Sequence, residues 1–156
     1  GLLARLMEVH QRRGAAATIA LEEVDPDDVH RYGIVRPVGE GEEFLISELV
    51  EKPRRDAAPS RLAIAARYAF SADLFEAIRR TLPDAKGELQ LTDAIRVLLA
   101  QGQPVWGVRL RPGERRYDIG NFETYFRAFV ELAAVDEKYG YLVRQHIHQL
   151  ADGGLA

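Results

Sequence analysis

Apolar and polar positions along the chain change rhythm repeatedly, and each change marks an element. Leu3, Leu6, Met7 and His10 fall at helical spacing, and Gly14 is a natural stop. Ala15 to Val24 follows as an apolar run that suits a buried strand, and Asp25-Pro26-Asp27-Asp28 reads as a turn. Arg31-Tyr32-Gly33-Ile34-Val35 leads into a strand, Gly39 to Glu43 reads as a hairpin turn, and Phe44 to Val50 is apolar enough for a second buried strand. After the polar loop Arg54 to Ser60, which could form a flap, Leu62, Ile64, Ala66, Tyr68 and Phe70 recur with period two. Ser71 then caps a predicted helix that turns Leu74, Phe75 and Ile78 inward. Leu82 to Lys86 is a loop, and Leu91, Ala94, Ile95, Leu98 and Leu99 make one helical stripe ended by Gly102. Trp106, Val108 and Leu110 alternate as a strand, followed by a polar turn over Arg111 to Arg116. Asn121 caps a helix whose predicted core stripe is Phe122, Tyr125, Phe126, Phe129 and Val130, and a weaker helical pattern spans Asp136 to Leu150. Alternation of helices and strands predicts an α/β fold with a mostly parallel sheet flanked by helices.

Composition narrows the classes. The 156 residues suffice for one domain with a core; 47% are hydrophobic and 29% charged, the balance of a globular protein. A net charge of -3 provides no footprint for nucleic acid or an acidic membrane surface. The absence of cysteine removes disulfides and thiolate metal sites. No apolar run reaches spanning length and nothing resembles a signal peptide, so the cytoplasm is the expected location. The chain enters a helical pattern directly at Gly1, which suggests a cut from something longer.

The chemistry-bearing stretch is Glu48-Leu49-Val50-Glu51-Lys52-Pro53. A buried strand seldom ends in Glu-Lys unless both charges find partners or face a cleft. The Glu51 carboxylate can accept hydrogen bonds from two neighbouring sugar hydroxyls, and the Lys52 ammonium can pair with a phosphate as a point charge. Pro53 biases Lys52 toward extended backbone. The plainer alternative is a strand end with two solvated charges. Gly33 marks either a backbone with unusual dihedrals or a place where a ligand approaches closely. Asp118, between a strand and a helix, suits either a hard cation such as magnesium or a turn. Trp106 is core or a ring beside the site, and His10 reads as a helix-face residue. His146 and His148, two apart on a helix, point to different faces and do not make a metal pair.

Taken together these stretches resemble the sugar-nucleotide pyrophosphorylases, a nucleotidyltransferase family. The likeness is carried, in order, by Glu22-Glu23-Val24, Arg31-Tyr32-Gly33-Ile34-Val35, Val50-Glu51-Lys52-Pro53 and Ala66-Arg67-Tyr68. Gly87-Glu88-Leu89-Gln90-Leu91-Thr92-Asp93-Ala94-Ile95 and Arg116-Tyr117-Asp118-Ile119-Gly120 complete it. The resemblance implies a Rossmann-like nucleotide-diphospho-sugar transferase fold and an enzyme that joins UTP and a sugar 1-phosphate into a UDP-sugar and pyrophosphate. It further implies that Gly33 contacts the sugar through its backbone, Glu51 holds sugar hydroxyls, Lys52 binds the phosphate of the nucleophile, and Asp118 is one of two aspartates on magnesium. One departure is Ala66, where the family pattern has glycine before Arg-Tyr. The other is that neither the family's glycine-rich, nucleotide-binding loop nor its earlier aspartate is found in this sequence. The expectation is therefore the C-terminal, sugar-phosphate half of a nucleotidyltransferase domain over residues 1–134, then a helix and flexible tail over 135–156. Such a half is expected to be inactive alone, to need the missing N-terminal half as partner, and to be compatible with a homo-oligomer. Two other readings stay open: a non-catalytic sugar-phosphate-binding or assembly module, and a thymidylyltransferase of the same fold that uses dTTP.

Overall fold

The computed structural model describes residues 1–117 and 119–153. It divides into two compact units, Gly1–Glu114 and a second beginning at Arg115. The first unit holds helix α1 (Leu2–Arg12), strands β1 (Ala17–Glu23), β2 (Gly33–Val38), β3 (Glu43–Glu51) and β4 (Leu62–Phe70), helices α2 (Asp73–Arg80) and α3 (Leu91–Ala100), and strand β5 (Val105–Arg109). The second holds α4 (Phe122–Ala134) and α5 (Gly140–Gly153).

The α/β class is observed, but the expected mostly parallel sheet is not. The strands close on themselves in the order β1-β4-β2-β3-β5. Only β1 and β5 run parallel; β1–β4, β2–β3, β2–β4 and β3–β5 are antiparallel. The reason is connection length. β2 and β3 are joined by a short glycine-containing turn, which forces reversal, and the parallel pair β1 and β5 is separated by the long chain that a crossover needs.

Side-chain alternation sorts β1 into two cores. Ile19 and Leu21 join Val35, Phe44 and Ile64 with Ala94, Ile95 and Leu98 of α3. Ala20 faces the other way, with Ala65 and Val108, against Leu6 and Val9 of α1. Because β4 is covered on both faces, Leu62, Ala63, Ile64 and Ala65 are all buried rather than alternating. β3 differs from its expected burial in the opposite sense: Phe44, Ile46 and Leu49 are buried while Leu45, Ser47 and Glu48 are exposed. A register shift between Arg36 and Pro37 of β2 moves the buried set from even to odd positions. On α2, Leu74 and Ile78 pack on the core, but Phe75 is exposed. Ser71 lies one residue before the N-cap, Ala72; its hydroxyl accepts the Asp73 N–H at 3.3 Å and donates to the Asp73 carboxylate at 2.8 Å.

In the second unit, Asn121 caps α4 as expected, its side-chain oxygen accepting the Thr124 N–H at 2.9 Å. The predicted core stripe of α4 is not buried: Phe122, Tyr125, Phe126, Phe129 and Val130 are exposed, and Ala128 alone in the helix is buried. Two helices by themselves offer too little surface to cover an apolar stripe on each.

Candidate functional site

The antiparallel register of β2 and β3 sets Gly33, the first residue of β2, opposite Glu51, the last residue of β3. Gly33 does not use the left-handed backbone considered for it; its φ lies outside the positive region. Close approach explains it instead. A Cβ at Gly33 would come within 2.9 Å of Ile64 Cδ1 and 3.1 Å of Glu51 Oε2. The missing side chain is what lets the Glu51 carboxylate lie across the strand start.

Glu51 Oε2 accepts a hydrogen bond from the Thr92 hydroxyl at 2.8 Å, and Glu51 Oε1 lies 3.9 Å from Lys52 Nζ. The Lys52 side chain is 64% exposed, so its ammonium remains available to a further anion. Its backbone departs from the extended conformation expected before Pro53: φ is +46°. The Lys52 N–H donates to the Tyr32 carbonyl at 3.0 Å, which extends the β2–β3 pairing by one bond as the chain turns away. A non-glycine residue in this region costs about 1–2 kcal/mol, and such residues cluster at ligand sites.

Tyr68 completes the constellation. Burial, and then the negative charge of Glu51, push its phenol above the ordinary tyrosine range, so at neutral pH it is a protonated donor. Its ring stacks on Phe70 with centroids 5.3 Å apart. Tyr68 reaches this place through a bulge. Ile19 pairs with Tyr68 and Leu21 with Ile64, so Ala65, Ala66 and Arg67 all face the single residue Ala20. Ala66, where the resemblance leads one to expect glycine, has φ +51°.

A cleft of about 620 Å³ opens between β3 and α3, with Glu51, Ser47 and Glu48 on one wall and Asp93, Arg96 and Val97 on the other. The start of α3 is set from the preceding loop by Asp84. Its carboxylate accepts the backbone N–H groups of Lys86 at 2.8 Å and Glu88 at 3.0 Å and the Gln90 amide at 2.9 Å. The Glu88 N–H above all, with Gln90 and Lys86, holds this carboxyl below the usual aspartate range.

Of the sequence-predicted residues, Gly33, Glu51 and Lys52 are brought together, and Asp118 lies outside the described residues. Among the described residues no group of three or more His, Asp and Glu is arranged to hold a metal ion. Trp106 packs with the α1 core, under Arg13 at 4.3 Å, away from Glu51. His10 shares a hydrogen bond of 3.2 Å with Thr18. Thr92 lies within the stretch 87–95 that carries the resemblance, but nothing there points to its bond with Glu51, and Asp84 is marked only by the turn signal Pro83-Asp84 three residues before Gly87.

No helix among the described residues is long and apolar enough to cross a membrane. The nucleotidyl transferase family pattern matches residues 2–135. A UTP–glucose-1-phosphate uridylyltransferase of Staphylococcus saprophyticus is 37% identical over 134 residues, 85% of this chain and 45% of its own length. The enzyme of that name from Streptococcus pneumoniae is 35% identical over 150 residues, 92% of this chain and 49% of its own. Among solved structures, the UTP-bound UGPase from Acinetobacter baumannii superposes with a TM-score of 0.81 at 29% identity, over 94% of this chain and 50% of that one. The chain spans about half the length of the curated relatives it matches. With a family match that runs from α1 through α4, the chain belongs to the nucleotidyl transferase family.

Proposed function

We propose that this chain is the sugar-phosphate side of a uridylyltransferase that makes UDP-glucose and pyrophosphate from UTP and glucose 1-phosphate. The observation that carries the reading is the Glu51 carboxylate, bonded by Thr92 and lying over Gly33, with the Lys52 ammonium beside it. Glu51 then accepts from sugar hydroxyls and Lys52 pairs with the phosphate. A phosphate oxygen of the sugar attacks the α-phosphorus of UTP in line; the new P–O bond forms as the α–β bridging P–O bond breaks, and pyrophosphate leaves. The nucleophile is anionic at neutral pH, so no general base is required, and positioning supplies most of what the residues contribute. The resemblance assigns Asp118 to magnesium; the roles of Gly33, Glu51 and Lys52 do not depend on that assignment. The coverage of half of each relative, together with the lack of a glycine-rich loop in the sequence, supports a chain that binds sugar phosphate but does not turn over.

Titration of glucose 1-phosphate into the isotope-labelled chain tests this. Amide shifts at Gly33, Glu51 and Lys52 are expected, with glucose itself binding more weakly. Lys52→Ala should remove most of that preference for the phosphorylated sugar, about tenfold for a charge-assisted contact. Equal binding of glucose and glucose 1-phosphate by the unaltered chain would remove the phosphate role. UDP-glucose formation by this chain alone with UTP and magnesium would overturn the half-site reading.

A further inference from the structure

We propose that Thr92 is a positioning residue that holds the Glu51 carboxylate in its sugar-binding rotamer. The inference rests on the sugar-binding role of Glu51. Glu51 ends β3, where the residue pairing with β2 stops, and its side chain is 35% exposed. Thr92 comes from α3, far along the chain, and its hydroxyl reaches Glu51 Oε2 at 2.8 Å. A threonine is restricted at χ1, which limits the positions its hydroxyl can take. Its helix is anchored in turn, because the Asp84 carboxylate holds the Gln90 side chain at the helix start. Having donated its one proton, the Thr92 oxygen keeps its acceptor capacity for a ligand hydroxyl. Oε2 of Glu51 is thereby oriented, while Oε1 faces the Lys52 side at 3.9 Å. The carboxylate is aligned before any sugar arrives, which removes the ordering cost from binding.

The test compares Thr92→Val, which keeps the shape and deletes the hydroxyl, with Thr92→Ser, which keeps the hydroxyl. Side-chain three-bond couplings of Glu51 in the ligand-free chain report its rotamers, and calorimetry reports glucose 1-phosphate affinity. Thr92→Val should average the Glu51 couplings and weaken binding about tenfold, with the melting temperature unchanged, while Thr92→Ser should restore both. A single Glu51 rotamer in Thr92→Val, or equal loss of affinity in both variants, overturns the proposal. If Thr92→Val melts early, Thr92→Ala combined with Glu51→Ala decides by coupling: additive losses of affinity overturn it. Glucose 1-phosphate binding that is absent from the unaltered chain defeats the functional reading instead, and the Glu51 couplings still decide the role of Thr92.

Discussion

Ala66 and Lys52 are the two non-glycine residues with positive φ among those described, +51° and +46°, and they differ in what the strain does. Ala66 sits exposed in the β4 bulge, where its methyl group meets the left-handed penalty. Ala66→Gly should therefore raise stability by about 1 kcal/mol in urea denaturation, since relief of the Cβ conflict outweighs the added freedom of the unfolded chain. A fall in stability would mean that the methyl contributes packing. Lys52 carries its strain at the candidate site, tied by its N–H to Tyr32. Gly33 is readable from sequence as a special position, but the reason is not: the constraint is Ile64 and Glu51, residues distant in sequence. The added methyl of Gly33→Ala meets the flexible end of Ile64 and the Glu51 carboxylate, both able to shift. Stability should fall by only about 1 kcal/mol while glucose 1-phosphate affinity drops severalfold, read by thermal melting and calorimetry on one sample.

At the scale of elements, α3 is the most legible and the most consequential. Its stripe is readable from spacing, and Ala94, Ile95 and Leu98 are all fully buried. Ile95→Ala should cost about 2–5 kcal/mol through lost burial and the cavity left behind. The loop ahead of α3 carries a pH dependence. Asp84 is held below its usual range by the N–H of Glu88, by Gln90 and by Lys86, so its folded form binds a proton less readily than its unfolded form. The contribution is present above the unfolded value of about 4 and is lost as pH falls through the lower folded value. Asp56, bonded by Arg54, and Glu76, bonded by Arg79, are shifted in the same direction. Acid titration of the melting temperature should therefore fall less steeply in Asp84→Asn than in the unaltered chain, without becoming flat. An identical slope would mean that the loop bonds do not persist in solution. β3 and β4 are readable as strands but not in their burial, because a bulge in one and cover on both faces of the other override simple alternation.

For the whole molecule, the exposed aromatic stripe of α4 has a consequence in solution. Phe122 stacks with Phe126 and Tyr125 meets Phe126 edge-on, yet all three stay accessible. Contiguous apolar surface of this kind drives association. Sedimentation across a range of concentrations should show self-association that Phe126→Ser together with Phe129→Ser reduces; a monomer at every concentration would show that the stripe is covered within the chain. The sequence by itself determined the succession of helices and strands, the α/β class, the hairpin and the Glu51-Lys52 pair, because spacing, turn residues and paired charges are local signals. The closure of five strands with one parallel pair, the bulge under Ala66, the burial order of β3, and the meeting of Gly33, Glu51, Tyr68 and Thr92 were decided by tertiary structure. Strand pairing and cross-element hydrogen bonds join residues far apart along the chain, and no local pattern of hydrophobic and polar positions encodes which of them meet.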